Sequence, residues 1–394
     1  MRIGEIFTAS VERLGTGGAG VLHYQGQRVF IDNTAPGDVI IGRIREDRKN
    51  WALADLLEII EPGPNRISPI CPQYGVCGGC SLQHLDYPCQ LAEKSAVLQD
   101  RLLRIGGLSV LPKLTVYGSQ PFEYRNRVQF HRIQSPRQDQ SALGFKARKG
   151  DAVIPLTDCP IADPGIRLAL REKQLALPLE KDRFTVYARG QTFLSEAGTR
   201  RGTVSLHNRE FFLDPGVFFQ SNGSMLEKVI QDLLEFVKSL DPELPAADLY
   251  CGVGVFAGFL QTHFSKITLV EQNKTALTLA RENVRSKAIQ YAPISTDQWV
   301  KTLAGKDSML YGFIIADPPR QGLSPLLCSQ LAQAGPPALA YLSCDPSALA
   351  RDARALTKGG YTLTDLRLYD FYPQTPHIET LALFEREGIH YVYS

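Results

Sequence analysis

The chain has 394 residues, 44% apolar and 21% charged, and 43 basic against 41 acidic side chains leave a formal net charge of only +2. This length allows two to three domains with sizeable cores, and the near-neutral balance excludes a globally basic surface, so any nucleic-acid interface must be a local patch. No apolar run approaches bilayer length and Met1-Arg2-Ile3-Gly4-Glu5 lacks the plan of a secretion signal, so a cytoplasmic location is expected, where eight cysteines call for a metal or catalytic explanation instead of disulfides.

Residues 1–60 read as five short strands broken by Gly and Pro turns: a loosely alternating Ile3–Leu14, then Val21–Tyr24, Val29–Ile31, Val39–Arg45 and Trp51–Ile60. This pattern suits a small Greek-key barrel of the OB type, a module that is either structural or oligonucleotide-binding. Pro62-Gly63-Pro64 is a hinge into a cysteine cluster. Cys71, Cys77 and Cys80 share a Gly-rich loop with only one Cys-x2-Cys pair, whereas zinc ribbons usually offer two. Three clustered thiols plus a remote fourth suit a [4Fe–4S] cluster better, with Cys89 and Cys159 as rival fourth ligands.

A helical pattern follows over Gln90–Ile105. From about 115 to 215 the chain returns to strand-like runs, Arg127–Ile133, Ala142–Lys146, Phe184–Ala188 and Thr203–Leu206, which points to a mostly β central domain. Here Arg125, Arg127, Arg132, Lys146, Arg148 and Lys149, interleaved with Tyr124, Phe130 and Phe145, form the best local basic patch, or else a solvated strand face. After Phe218-Phe219-Gln220-Ser221-Asn222 a helix over Ser224–Leu240 leads into alternating strands and helices, the pattern of a doubly wound parallel sheet.

Ala246–Ala257 reads as strand, glycine turn and helix start, and the next strand, Ile267–Val270, ends in Glu271, a carboxylate spaced to accept ribose hydroxyls. Gly252-x-Gly254-x-x-Ala257 also fits a dinucleotide fingerprint, which makes a nicotinamide-dependent dehydrogenase the alternative. The acidic Asp248 before the loop, and the helix that precedes the unit, favour S-adenosylmethionine, which carries a ribose, an ammonium and no phosphate.

Two later signatures define the chemistry. Phe313–Ala316 is a buried strand ending in Asp317-Pro318-Pro319-Arg320, where amine methyltransferases often carry an aromatic after the prolines. Arg320 in that place points away from amino methylation. Cys344, in Ser343-Cys344-Asp345-Pro346, follows the apolar run Ala338–Leu342 and so falls at a strand end, where open α/β sheets place their chemistry. A lone Cys is by default a half-buried structural residue. Pyrimidine C5, however, is a poor nucleophile until something adds at C6; a thiolate can add there, and a later carboxylate such as Glu379 can serve as its acid–base partner. Asp345 could raise the thiol pKa unless it is itself paired.

Taken together, the barrel with Pro36-Gly37-Asp38, Cys71-Pro72 through His84, Tyr124-Arg125-Asn126-Arg127, Phe218-Phe219-Gln220-x-Asn222, the Asp248 loop, Asp317-Pro318-Pro319-Arg320, Ser343-Cys344-Asp345-Pro346 and His377-Ile378-Glu379-Thr380 resemble the RNA uracil-C5 methyltransferases that carry an iron–sulfur cluster. The resemblance implies a Rossmann-like methyltransferase domain at 216–394, a TRAM-type barrel at 1–60 and a central cluster-bearing, RNA-binding domain at 61–215. It implies Cys344 as the C6 nucleophile, Glu379 as the base for the C5 proton, and Gln220, Tyr250, Glu271 and Asp317 around S-adenosylmethionine. It makes Cys159 the fourth ligand beside Cys71, Cys77 and Cys80, with Cys89, Cys251 and Cys328 structural. The implied partner is structured RNA, ribosomal first and transfer RNA as the alternative, with the target base flipped out of its stack. Asp345 and Tyr250 stand where the family more often has Asn and Phe.

Overall fold

A computed structural model describes residues 1–133, 142–175, 181–286, 288–303 and 311–386. The first sheet holds six strands: β1 (Ile6–Ser10), β2 (Arg13–Leu14), β3 (Gly20–Tyr24), β4 (Gln27–Ile31), β5 (Val39–Arg48) and β6 (Trp51–Glu61), in the order β1-β5-β6-β4-β3-β2. Five strands were expected. The sixth arises because Val11 turns aside to bond the 35–38 turn, its N–H donating to Asp38 O and its carbonyl accepting from Gly37 N, which splits the first run in two.

Helix α1 (Tyr87–Arg104) starts three residues before the expected point, where Asp86 accepts a hydrogen bond from Cys89 N at 2.8 Å and Pro88 occupies the first turn. β7 (Leu114–Tyr117) follows. A second sheet, in the order β10-β9-β8-β11-β12, contains β8 (Arg127–Ile133), β9 (Ala142–Lys146), β10 (Val153–Pro155), β11 (Arg183–Arg189) and β12 (Thr192–Ser195), with α2 (Pro164–Arg171) against β11. The hairpin of β13 (Gly202–Leu206) and β14 (Arg209–Leu213) places Leu206 and Phe211 in the core of the third sheet.

That third sheet is built after α3 (Gly223–Val237) from β15 (Ala246–Leu249), α4 (Val255–Leu260), β16 (Ile267–Val270), α5 (Lys274–Asn283), β17 (Ile289–Ala292), α6 (Thr296–Leu303), β18 (Phe313–Ala316), α7 (Pro325–Ala334), β19 (Ala338–Ser343), α8 (Pro346–Lys358), β20 (Thr362–Tyr369) and β21 (Glu379–Glu385). Its order is β17-β16-β15-β18-β19-β21-β20-β7. Strands buried on both faces read as continuous apolar runs, and successive side chains go to opposite sides. Phe313 and Ile315 face one core while Ile314 and Ala316 face the other, and β19 alternates in step.

The sheet differs from an all-parallel one at β21, which is antiparallel to both β19 and β20. The connection 370–378 contains no helix, and without a crossover helix the returning strand must run backwards. Two early elements also join this unit. β7 pairs in parallel with β20, and α1 packs Val97, Leu98 and Leu102 into the same core as α8. Among the described residues no helix is long and apolar enough to cross a membrane.

Candidate active site

The order of the third sheet changes direction at β15, with β16 on one side and β18 on the other, and ligands of open α/β sheets bind at such a switch point. Residues following four parallel strands converge there: Tyr250 after β15, Glu271 after β16, Asp317 after β18 and Cys344 after β19. The ladder keeps the first three level, since Leu249 lies opposite both Val270 and Ala316, and with Ala316 opposite Tyr341 it puts Cys344 two residues further out along its strand. Because β21 is reversed, its first residue arrives at this same edge. Ser343 pairs with Thr380, so Cys344 and Glu379 flank one rung of the ladder.

The glycine turn is shaped by left-handed backbone at Tyr250 (φ 61°), Gly252 (φ 53°) and Gly254 (φ 80°). A side chain at Gly254 would meet Val284 Cγ2 at 2.9 Å, so only glycine lets α4 start this close to α5. Asp248 is buried. Its Oδ2 accepts from Ala257 N at 2.9 Å in the first turn of α4, while its Oδ1 has no partner. Glu271 accepts from Gly252 N at 3.1 Å and Asn273 N at 2.7 Å, and the Tyr250 hydroxyl accepts from Thr296 at 2.9 Å. Gln220 is buried beside Asp317, with Nε2 at 3.5 Å from Oδ2 and Oε1 unpartnered.

Burial pushes the Asp248 carboxyl up to about 8, with help from the charges of Asp317 and Glu271, and pushes Asp317 up to about 7. Among the described residues no basic side chain pairs with Asp248, Glu271 or Asp317. This edge is therefore an uncompensated acidic pocket with orphaned oxygens, a donor set fitted to a cationic, hydroxyl-bearing ligand.

Cys344 is half-buried, and its thiol is pushed up to about 12, first by burial and then by the charges of Glu379 and Asp317, against the opposing Arg320 guanidinium. Glu379 is buried and held well above the usual carboxylate range, again first by burial and then by Asp317, with Arg320 opposing. The charges that disfavour the thiolate thus come from Glu379 and Asp317. Asp345, the suspected source, is turned away and paired: it caps α8, accepting from Ser347 N and Ala348 N at 2.8 Å each.

Four of the cysteines meet elsewhere. Cys71, Cys77, Cys80 and Cys159 line one small cavity with the apolar Phe145, Leu156 and Ile161, and Cys89 is not among the lining residues. Burial pushes Cys80 up to about 12 and Cys159 to about 11, while Arg125 opposes this at both. Among the described residues no group of three or more His, Cys, Asp or Glu is arranged to hold a single metal ion.

The expected basic patch is altered. Tyr124 and Phe130 are buried, and Phe130 stacks on Phe145 at 5.3 Å, so these rings are core and not platforms for bases. Arg148 pairs with Asp32 at 3.2 Å and Lys146 with Asp151 at 3.6 Å. An exposed ring close by is Phe218, with the Arg127 guanidinium 5.9 Å from its centre. Sequence reasoning gave no role to the 370–378 connection or to Gln90 and Lys94. Two long polar side chains on the apolar-facing side of α1 were the available signal.

A tRNA (uracil-5-)-methyltransferase family profile matches residues 172–387. Over 391 residues the chain is 32% identical to an uncharacterized RNA methyltransferase of Treponema denticola, covering 92% of this chain and 94% of that one. It is 30% identical to the 23S rRNA (uracil(1939)-C(5))-methyltransferase of Shewanella sediminis, with 96% and 95% covered. The crystal structure of a Pyrococcus abyssi tRNA (uracil-54, C5)-methyltransferase in complex with S-adenosyl-L-homocysteine shares the fold at a TM-score of 0.72 and 23% identity, covering 96% of this chain and all of that one. With a family profile spanning more than half of its length and a near full-length relative, this chain belongs to the RNA uracil-C5 methyltransferase family.

Proposed function

We propose that this enzyme methylates C5 of a uridine in structured 23S ribosomal RNA, with S-adenosylmethionine as donor and a covalent Cys344–C6 adduct as intermediate. The observation that carries the reading is the Ser343–Thr380 rung, which brings a thiol and a buried carboxylate to the acidic sheet edge. Cys344, its proton already lost to solvent, adds as the thiolate to C6, and the electron pair of the C5=C6 bond moves onto C5–C4–O4 as an enolate. Bound at Gln220, Tyr250, Glu271 and Asp317, the donor supplies a sulfonium methyl that C5 captures. Glu379 then removes the C5 proton, the C5=C6 bond re-forms and the thiolate leaves C6. The buried thiol loses its proton reluctantly, and Arg320, a cation acting on both Cys344 and Glu379, lowers the cost of charge there.

Near full-length relatives named as 23S rRNA methyltransferases support a ribosomal substrate over the transfer-RNA alternative, which rests on a more distant likeness. In the same reading, residues 1–60 are a TRAM-type barrel, 61–215, apart from α1 and β7, a central RNA-binding domain, and 216–394 with α1 and β7 the methyltransferase domain of a cytoplasmic enzyme. A [4Fe–4S] cluster held by Cys71, Cys77, Cys80 and Cys159 is part of this reading, supported by the four thiols lining one small cavity and by the single Cys-x2-Cys pair, where zinc ribbons usually have two. There it would order the loop, and no step of the methyl transfer passes through it.

The test is Cys344→Ala, which should lower 5-methyluridine formation by more than about 10⁴-fold. 5-Fluorouridine RNA should trap the wild-type enzyme as a denaturation-resistant adduct, because fluorine cannot leave as a proton. A methylating Cys344→Ala variant would refute the nucleophile. Mapping of 5-methyluridine in ribosomal and transfer RNA, with and without the protein, decides the substrate. Anaerobic purification should give brown protein carrying iron and inorganic sulfide; stoichiometric zinc without iron would refute the cluster.

A further inference from the structure

The connection 370–378 forms a wall beside the catalytic pair, and elements from the first half of the chain hold it. Tyr372 lies close enough to Glu379 and Cys344 for both charges to act on its hydroxyl, and the His377 ring packs edge-on against Tyr372 at 5.7 Å. Arg320 reaches His377 at 3.4 Å. The middle of the wall is Gln374, buried and in left-handed backbone at φ 67°, a conformation that costs a non-glycine residue energy unless its surroundings enforce it.

Those surroundings are specific. Gln374 O accepts from Ser81 N at 2.9 Å and Leu82 N at 3.0 Å, the two residues after Cys80. Gln374 N donates to Gln90 Oε1 at 2.9 Å, and Gln90 Nε2 lies 3.0 Å from Gln374 Oε1 while also reaching Leu82 O and Leu85 O. Gln374 Nε2 donates to Pro121 O at 3.3 Å, and the Tyr124 hydroxyl donates to Pro373 O at 2.8 Å. The first sheet touches the same wall, for a side chain at Gly18 would run into Pro376 and Leu82. Every polar atom of Gln374 is thus engaged by the cysteine loop, α1 or residues 121–124.

We propose that Gln374 is a positioning residue through which the cysteine loop and α1 set the wall over Glu379, so that proton removal at C5 depends on contacts made by the first half of the chain. The inference rests on the assignment of Glu379 as the base. It acts through Tyr372 and His377: a wall that drifts lets water reach Glu379 and misplaces its carboxylate, and an error near 1 Å can cost about a hundredfold in rate.

The experiment follows the fate of the adduct on ordinary uridine RNA. Glu379→Gln should stall after methyl transfer and accumulate protein cross-linked to RNA on a denaturing gel. Gln374→Gly keeps the carbonyl and relieves the left-handed backbone while removing the amide; Gln90→Ala loosens the same clamp from α1 without touching the wall. Each should accumulate the same adduct, with kcat lowered roughly ten- to hundredfold and KM for RNA within about twofold of wild type. Destabilised folding alone would lower adduct and product together. Wild-type kcat in both variants, or a loss of kcat without adduct, overturns the positioning role. No adduct in Glu379→Gln overturns the base assignment instead, an outcome separable from the first because it appears with Gln374 intact.

Discussion

Two acidic sites, one at the start of the 370–378 wall and one at the edge of the third sheet, are treated by the protein in opposite ways. Asp370, at the start of the wall, is fully buried and meets the equally buried Lys94 ammonium at 2.6 Å, while Lys94 also donates to Tyr372 O at 3.1 Å. Burial pulls the Lys94 ammonium below its ordinary value, and the Asp370 carboxylate opposes that pull. Asp248, buried as deeply near the end of β15, and Asp317, half-buried just after β18, have no described cation. Where a carboxylate only holds the fold, the chain supplies its counter-charge. Where a cationic ligand is to arrive, the carboxylates are left strained, with pKa values raised into the physiological range.

The largest effect should come from breaking the Lys94–Asp370 pair, which engages one carboxylate oxygen and leaves Asp370 Oδ2 without a partner. Lys94→Met leaves Asp370 charged, buried and unpartnered, and should cost about 3–5 kcal/mol of stability in chemical denaturation. Adding Asp370→Asn should recover at least half of that, because the isolated charge is gone. A single variant within about 1 kcal/mol of wild type would show that Asp370 does not depend on Lys94.

Asp317→Asn should act in the opposite sense on the two states of the enzyme. Free of ligand it should be more stable than wild type at pH 8, where a buried and uncompensated carboxylate is removed. Its affinity for S-adenosylmethionine should fall by about ten- to a hundredfold, the range of a lost hydrogen bond to a charged group. Calorimetric titration reads the affinity, and an unchanged value would detach Asp317 from the donor site.

This contrast explains what the sequence could and could not reveal. Asp317 and Cys344 were legible because each ends a short apolar run, and strand ends at a switch point are where chemistry collects. Cys344 and Glu379 could be matched by resemblance, but their nearness depends on the reversal of β21, which follows from a connection too short for a helix. The expected helix over Gln90–Ile105 and the strands over Arg127–Ile133 and Ala142–Lys146 closely match the structure. What periodicity could not show is that α1 and β7 leave the region around them and join the third sheet. Lys94 and Gln90 looked like ordinary polar residues of a surface helix, since their partners lie far along the chain. Which rings within the expected basic patch are buried was hidden for a related reason. Alternation along β8 puts Phe130 on the buried face, and Tyr124, before that strand, is also buried with its hydroxyl on Pro373 O.

The smallest effect, and the most discriminating, is on pH dependence. In the ligand-free enzyme the carboxyls of Asp248 and Asp317 are raised to about 8 and about 7 from an unfolded value of 3.8. A raised carboxyl pKa means that the folded state holds the proton longer than the unfolded one. Their contribution to stability is then complete below about pH 4, declines as the pH rises, and is fully lost once the folded groups ionise between about 7 and 8. A bound sulfonium reverses this by favouring the ionised carboxylates. S-adenosylhomocysteine has the same ribose and ammonium without that charge, so the comparison isolates one positive centre. Thermal stabilisation by S-adenosylmethionine should exceed that by S-adenosylhomocysteine by a margin that widens between pH 6 and pH 8, and the widening should shrink in Asp317→Asn. A margin independent of pH would mean that the donor's charge is balanced away from these carboxylates, and the two acidic sites would then differ in geometry alone.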